Sequence, residues 1–318
     1  VYLLLILNNW RGIRFNDLAN YIYERQNEDG GYTFARGAES SAQDTYYAVE
    51  ILKMLNAPLK NVDKTILFLQ SLQHQDGGFD SIKVGYYAIL ALDRLGARPT
   101  GALSGFMHSI KVSISIEKPV KEVYIETVSE IENLCLSIEL LKKLNKLNLP
   151  ISNHTMEQIL KLQNSDGSFG GIKHSRIAST YYALKILRIL NYDVATLNTL
   201  NWIRRCEVPN GGFVAAPGLS SLYITIEDIY YGIKSLELLN SSYRYPRETL
   251  ELIKRFQNPN GGFRRSIFLG ISDFESTYQA LSSIEAIQKS LTFTLFPKIN
   301  KINNKINNKI NNKINKIK

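Results

Sequence analysis

Gln73-His-Gln-Asp-Gly-Gly-Phe79 closes one helical stretch and precedes another. The same punctuation recurs as Gln26-Asn-Glu-Asp-Gly-Gly-Tyr32, Gln163-Asn-Ser-Asp-Gly-Ser-Phe169, Glu207-Val-Pro-Asn-Gly-Gly-Phe213 and Gln257-Asn-Pro-Asn-Gly-Gly-Phe263. The first glycines stand at 30, 77, 167, 211 and 261, so the steps are 47, 90, 44 and 50 residues. Two steps of 45 fit inside the 90, which places a sixth, eroded unit between residues 95 and 145. A fixed period of this length is one supersecondary unit copied along the chain.

The unit around the first-quoted motif shows how a copy is built. Residues 62–74 put Ile66, Leu69 and Leu72 at helical spacing, with Leu67 widening the apolar face. Asp76-Gly77-Gly78 is expected to stop this helix, because glycine enters the left-handed region a helix end needs without steric cost. Phe79 then folds back as an apolar plug. A second helix follows over 86–95, apolar around more of its circumference and so more deeply buried; Gly96 and Pro99 end it. Its counterparts are 44–55, 179–190, 228–239, 275–287 and, in the eroded unit, 133–144. Each copy is thus an amphipathic helix and a buried one, about twelve helices in all. Val112–Ile116, a β-branched run, is the one strand signal. Spacing alone permits either an open superhelix or a closed ring.

Composition bounds the function. The formal charge of +9 suggests nucleic acid until it is located: Lys298–Lys318 carries seven lysines and no acid, leaving +2 for the rest of the chain. A nucleic-acid surface on the body is therefore not expected. The tail places Ile302, Ile306, Ile310 and Ile314 on one drifting helical face, which would suit an anionic membrane; the plainer reading is an Asn-rich disordered extension. Cys135 and Cys206 form no metal-ligand spacing and fit a reducing compartment. The opening VYLLLIL is too short to span a membrane and lacks a signal peptide's basic flank. A soluble cytoplasmic protein is expected, and the missing initiator Met suggests an alternative start codon or a truncated sequence.

The QxxDGGF turn followed by a YYA helix, spanning roughly residues 20–290, resembles the repeat of protein prenyltransferase β subunits and squalene/oxidosqualene cyclases. The resemblance implies an all-α fold: an α/α toroid of six helix pairs, inner helices around an apolar cavity and outer helices around them. The toroid would occupy 1–290 and the low-complexity tail 291–318. The resemblance also implies isoprenoid chemistry at the mouth, with an isoprenoid diphosphate as ligand and, as in the prenyltransferases, a separate helical partner subunit.

Candidate site residues come from position within the unit. Counting three residues before the second tyrosine of each buried helix, or taking the residue aligned with that position, gives Asp44, Val84, Asn133, Ser179, Asp228 and Glu275. If the ring closes, units 6 and 1 become neighbours and Asp44, Asp228 and Glu275 form one acidic arc, the candidate catalytic group. The competing explanation is capping, since acids in a helix's first turn gain about 0.3–1 kcal/mol from its dipole. By resemblance, Asp228-Ile229-Tyr230-Tyr231 matches the D-x-C-Y zinc stretch and Glu275 the later His, so Asp228 and Glu275 are the candidate metal ligands. With the thiolate and imidazole replaced, the pair suits Mg²⁺ better than Zn²⁺. The Arg and Lys that precede the metal Asp in that family are Leu222 and Thr225 here. The cyclase DxDD acid survives only as Asp44 in Ser41-Ala42-Gln43-Asp44, which leaves terpene cyclisation the weakest reading.

Arg36, Lys83, Lys173, His174, Arg176, Arg264 and Arg265 lie between a glycine turn and the next buried helix, where a diphosphate would sit; Arg176 and Arg264 are the favoured pair. The paired tyrosines, Tyr182 and Tyr231 among them, read first as packing between helices and second as a channel lining. Two functions compete. One is a prenyltransferase-like enzyme; the other is a non-catalytic toroid, without zinc ligands, that binds a lipid or a protein partner.

Overall fold

The computed structural model describes residues 13–115, 128–171 and 175–291. Six amphipathic helices form an outer layer: α1 (Phe15–Tyr23), α3 (Val62–Ser71), α5 (Ser104–Ser115), α7 (Leu149–Lys161), α9 (Thr199–Cys206) and α11 (Pro246–Lys254). Six more form the inner layer: α2 (Ala42–Met54), α4 (Ile82–Arg94), α6 (Val128–Lys143), α8 (Arg176–Ile189), α10 (Ile226–Leu238) and α12 (274–291). The division follows burial. Outer α9 buries Thr199, Trp202, Ile203 and Cys206, one stripe at helical spacing, whereas inner α8 buries residues on every side. Val112 lies in α5, so the β-branched run is helical as far as Ser115; tertiary packing of Ile110 overrides a weak local preference. Ile116, the amino-terminal apolar run, Lys173, His174 and the lysine tail lie outside the described residues.

Successive inner helices pack side by side from α2 through α10. Tyr278 on α12 then touches Tyr230 on α10 and Tyr46 on α2, with ring centroids 6.4 and 6.5 Å apart. The inner layer is therefore a closed ring, and units 6 and 1 are neighbours. Four inner helices run into an asparagine in the left-handed region, Asn56, Asn145, Asn191 and Asn240, and α4 into Gly96 at the same place. Asparagine and glycine are the residues that tolerate this conformation.

The glycine motif is a turn after the outer helix and not its cap, since α3 ends at Ser71 and Gly77 follows later. Its residues have separable jobs. Asp76 Oδ1 accepts the Gly78 amide at 2.8 Å, and Asp29, Asp166 and Asn260 do the same in their copies. The leading glutamine staples one unit to the next: Gln73 Nε2 donates to the Gly77 carbonyl, and its Oε1 accepts the Gly101 amide at 2.7 Å. Gln257 repeats the pattern at the seam, bonding Gly261 and accepting the Arg14 amide at 3.1 Å. The ring is closed by the same bond that Gln73 makes to the unit after it. The aromatic plugs Tyr32, Phe169, Phe213 and Phe263 are all buried.

Candidate functional site

Inner helices enclose a lumen of about 160 Å³. Nine tyrosines line it, both members of the pairs 46/47, 86/87, 181/182 and 230/231 together with Tyr278. Glu132, Glu139, Glu275, Lys185, Gln279, Leu90 and Leu136 complete the wall. The expected apolar cavity is thus a polar, hydroxyl-rich one. Tyrosine pairs on adjacent helices bond through their hydroxyls, Tyr47 with Tyr87 at 3.0 Å and Tyr182 with Tyr231 at 3.1 Å. Burial pushes these phenols well above their usual range, so they stay neutral.

The register of the acidic arc is corrected by three equivalent hydrogen bonds. Thr45, Thr180 and Thr277 each accept, through Oγ1, the amide of the preceding aromatic plug: Tyr32 at 2.9 Å, Phe169 at 3.0 Å and Phe263 at 3.0 Å. Thr277 is therefore the counterpart of Thr45, Ser276 that of Asp44, and Glu275 that of Gln43. Unit 6 has one tyrosine where most others have a pair, so counting back from it slipped by one residue. Glu275 stands instead with Gln43, Lys83, Glu132 and Glu227 at the lumen's rim. Gln43 donates to Glu275 at 3.0 Å, and Lys83 pairs with Glu132 at 3.3 Å.

Glu275 has the most altered environment of the candidate acids. Its carboxyl accepts from Gln43, and from Tyr47 and Gln279 at 3.4 Å each, but pairs with no lysine or arginine among the described residues. Burial pushes it up to about 7; Lys83 works against this, while Glu132, Glu227 and Asp273 add to it. Seven residues below Glu132 on α6, about 10 Å deeper along the helix, Glu139 accepts from both Lys185 and Tyr86 at 2.7 Å. Burial opposes the Lys185 charge, yet with the Glu139 carboxylate beside it the ammonium is held well above its ordinary range.

Asp44 and Asp228 sit elsewhere. The Ser41 hydroxyl caps α2 by accepting the Asp44 amide at 3.0 Å, and Asp44 accepts from Phe34 at 3.4 Å. Asp228 completes a capping box with Thr225: Oδ2 accepts the Thr225 amide at 3.1 Å and hydroxyl at 2.8 Å. Neither lines the lumen. Asp228→Ala is expected to lower stability by about 0.5–2 kcal/mol in urea titration, the range of a lost cap; an unchanged midpoint would show that the box contributes nothing.

Arg176 pairs with Asp166 at 2.9 Å and lies over the Trp202 ring of an outer helix, 5.5 Å from its centroid. Arg264 donates to the Ile267 carbonyl at 2.8 Å, bracing its own loop. Arg265 pairs with Glu227 at 2.9 Å. Of the favoured residues, Glu275, Tyr182 and Tyr231 meet at the lumen, while Asp44, Asp228, Arg176 and Arg264 do not. The described residues include no group of three His, Cys, Asp or Glu that could hold a metal ion. Asp228 is engaged by its capping box, and Glu275 stands one register position away from its equivalent. Sequence reasoning missed Glu132, Glu139, Lys185 and Gln279. For Lys185 the available signal was its offset from the Tyr181–Tyr182 pair on the same helix; α6, which carries Glu132 and Glu139, has no tyrosine to count from.

At the end of the lumen where Glu275 stands, the loops before α10 and α12 lie together, joined by the Thr225–Ser266 bridge and the Ile226 amide on the Arg265 carbonyl. They expose Leu219, Leu222, Tyr223, Phe268, Leu269 and Ile271, with Tyr223 at 76% and Leu269 at 83% exposure. We term these six exposed side chains the crown, and the end of the lumen on whose side their loops lie the mouth.

A closed six-unit α/α ring with one central lumen is the class of protein this geometry defines. The chain belongs to the prenyltransferase alpha-alpha toroid domain family, whose model matches residues 1–97, 130–222 and 219–310. Over 91 residues it is 33% identical to the β subunit of protein farnesyltransferase from Pisum sativum, a match covering 27% of this chain and 20% of that protein. The chain thus spans about a fifth of that relative's length. The type II terpene cyclase MstE from Scytonema, as a variant in complex with geranylgeranyl dihydroxybenzoate, superposes with TM-score 0.55 over 91% of this chain and 97% of that one, at 12% identity. The same enzyme without ligand gives TM-score 0.50 over 87% and 97%, at 13% identity. Identities this low show the shared fold alone. No described helix is long and apolar enough to cross a membrane.

Proposed function

We propose that this toroid binds an isoprenoid-type amphiphile by its mouth, hydrocarbon on the crown and polar end in the tyrosine lumen. The juxtaposition of exposed crown and polar lumen carries the reading. A lumen of about 160 Å³ is smaller than the roughly 300–1,000 Å³ of sites that enclose a drug-sized molecule, so a long prenyl chain is better served by the crown. Six large apolar side chains exposed on two adjoining loops are the kind of surface that marks binding sites. Tyr182 and Tyr231 would contact the polar end together with Glu275, while Arg176 and Arg264 hold their loops.

A diphosphate suits this mouth poorly. Glu132, Glu227, Glu275 and Asp273 stand together there against Lys83 and Arg265, and both cations already face acids. Binding without metal-dependent prenyl transfer is therefore favoured over the enzyme reading. MstE in complex with a geranylgeranyl compound supports an isoprenoid as the apolar part.

Intrinsic fluorescence titration of the full chain with geranylgeraniol and with geranylgeranyl diphosphate tests this. Geranylgeraniol should bind at least as tightly as the diphosphate, with no response to Mg²⁺ or Zn²⁺. Replacing Leu222 and Leu269 together by Ser should weaken it about tenfold or more, given about 1.5–3 kcal/mol for each fully buried leucine. Tight binding of the diphosphate alone, and only with metal, would restore the transferase reading. Binding of neither ligand would sink both and leave the crown to a protein partner.

A further inference from the structure

We propose that the lumen is a site for a small alkylammonium ion, received between the tyrosine rings and the carboxyl of Glu275. The inference rests on the reading that the polar end of the ligand enters the lumen, and it names the chemistry of that end. Four observations converge on it.

The first is charge. Each lumen lysine already has its own acid, Lys185 with Glu139 and Lys83 with Glu132. Glu275 is left over: no cation pairs with it among the described residues, and its partners are amides and a phenol. Ionised, it leaves the lumen one negative charge in excess. The second is the wall. Nine phenol rings line this space, and aromatic faces attract a cation more strongly once it is desolvated. The tyrosines are held neutral, so their rings act through their faces without competing as anions.

The third observation is an unmet acceptor. Gln279 is 2% exposed and lines the lumen, and its Oε1 has no hydrogen-bond partner. Its amide nitrogen reaches Glu275 at 3.4 Å, so the carbonyl and the carboxyl belong to one group of acceptors. A buried acceptor without a donor is destabilising and calls for an N–H that the protein itself does not supply. An ammonium ion supplies three; a quaternary ammonium supplies none, and an alcohol supplies one without charge. The fourth is size. The lumen of about 160 Å³ equals about five times the 30 Å³ share of a water molecule. This matches an ammonium with a chain of about four carbons, or the head of a longer amine whose tail continues to the crown.

Calorimetric titration of the full chain with n-butylammonium, tetramethylammonium and n-butanol tests the proposal. n-Butylammonium should bind one to one and at least about tenfold more tightly than either other probe, a difference of 1.4 kcal/mol. Glu275→Gln should reduce that affinity about tenfold or more. Gln279→Leu should do so too, without touching a charge, and thermal melts confirm that each variant is folded. Equal binding of n-butanol, or no binding of n-butylammonium at millimolar concentration, would overturn the proposal and leave the lumen to water. The crown variant with Leu222 and Leu269 replaced by Ser should keep n-butylammonium affinity while losing geranylgeraniol. If geranylgeraniol binds and n-butylammonium does not, the head-group assignment alone falls. If the reverse holds, the crown reading falls and the lumen site stands.

Discussion

Gly261→Ala should cost at least about 3 kcal/mol of folding stability, whereas Gly218→Ala costs about 1 kcal/mol. Both glycines have φ +88°, so an L side chain at either position carries the same conformational penalty. They differ in what surrounds them. A Cβ at Gly261 would stand 2.3 Å from the Leu18 nitrogen and 2.6 Å from the Asp17 carbonyl carbon; at Gly218 nothing lies within 4 Å. The atoms in the way at Gly261 are main chain at the start of α1, which cannot rotate aside as a side chain can. They also belong to the seam, where Gln257 bonds to Arg14 and joins the last unit to the first. The substitution therefore presses the ring open at its closure. Guanidinium or urea titration of the two variants reads the difference. Equal losses would mean that the seam yields without cost and that the ring is not closed in solution.

Glu275 should make the protein less stable as pH rises from 5 to 8, by on the order of 3 kcal/mol. Its carboxyl is pushed up to about 7 in the folded chain, from an ordinary value of 4.5. Between those values the folded state holds a proton that the unfolded state has lost. Stability therefore falls as pH rises through that window, and the loss is complete above it. The groups that face the carboxyl are Gln43 and Tyr47 from α2, Lys83 and Tyr87 from α4, Glu132 from α6, and Glu227 and Tyr231 from α10. Of the charged groups among these only Lys83 favours the ionised form, and it is already engaged by Glu132. Glu275→Gln keeps the hydrogen-bonding shape, removes the titration and should flatten the profile. Urea midpoints measured across the range for both proteins decide the matter. A parallel fall in the variant would assign the dependence to Glu227 or Asp273, which burial also raises.

The six-unit plan was written in the chain because each unit carries its own local chemistry. A glycine turn needs a positive φ, an Asx residue needs the following amide, and a buried helix needs an apolar circumference, and all are set within a few residues. Even the helix ends were legible, as Leu-Asn or Leu-Gly pairs at 55–56, 95–96, 144–145, 190–191 and 239–240. The closing bond was foreshadowed too, since Gln257 differs in nothing from the glutamines that staple internal units.

The site was not legible in the same way. The counting rule failed at unit 6, where Thr277 rather than Tyr278 marks the register, and that slip exchanged a cap position for a rim position. Whether an acid at a helix start caps its own helix or faces a lumen depends on one step of about 100° around the helix. Asp228 fell on the capping side and Glu275 on the lumen side. Polarity of the cavity was likewise a tertiary outcome: tyrosines from five helices, harmless as packing in each unit, converge on one axis only when the ring closes. The amino-acid sequence determined the repeat, its turns and its helices because those rest on short-range geometry. The tertiary structure decided which side chains share the lumen, which carboxylate lacks a counter-charge and which apolar side chains stand uncovered at the mouth. Those properties depend on residues more than two hundred positions apart, brought together by closure.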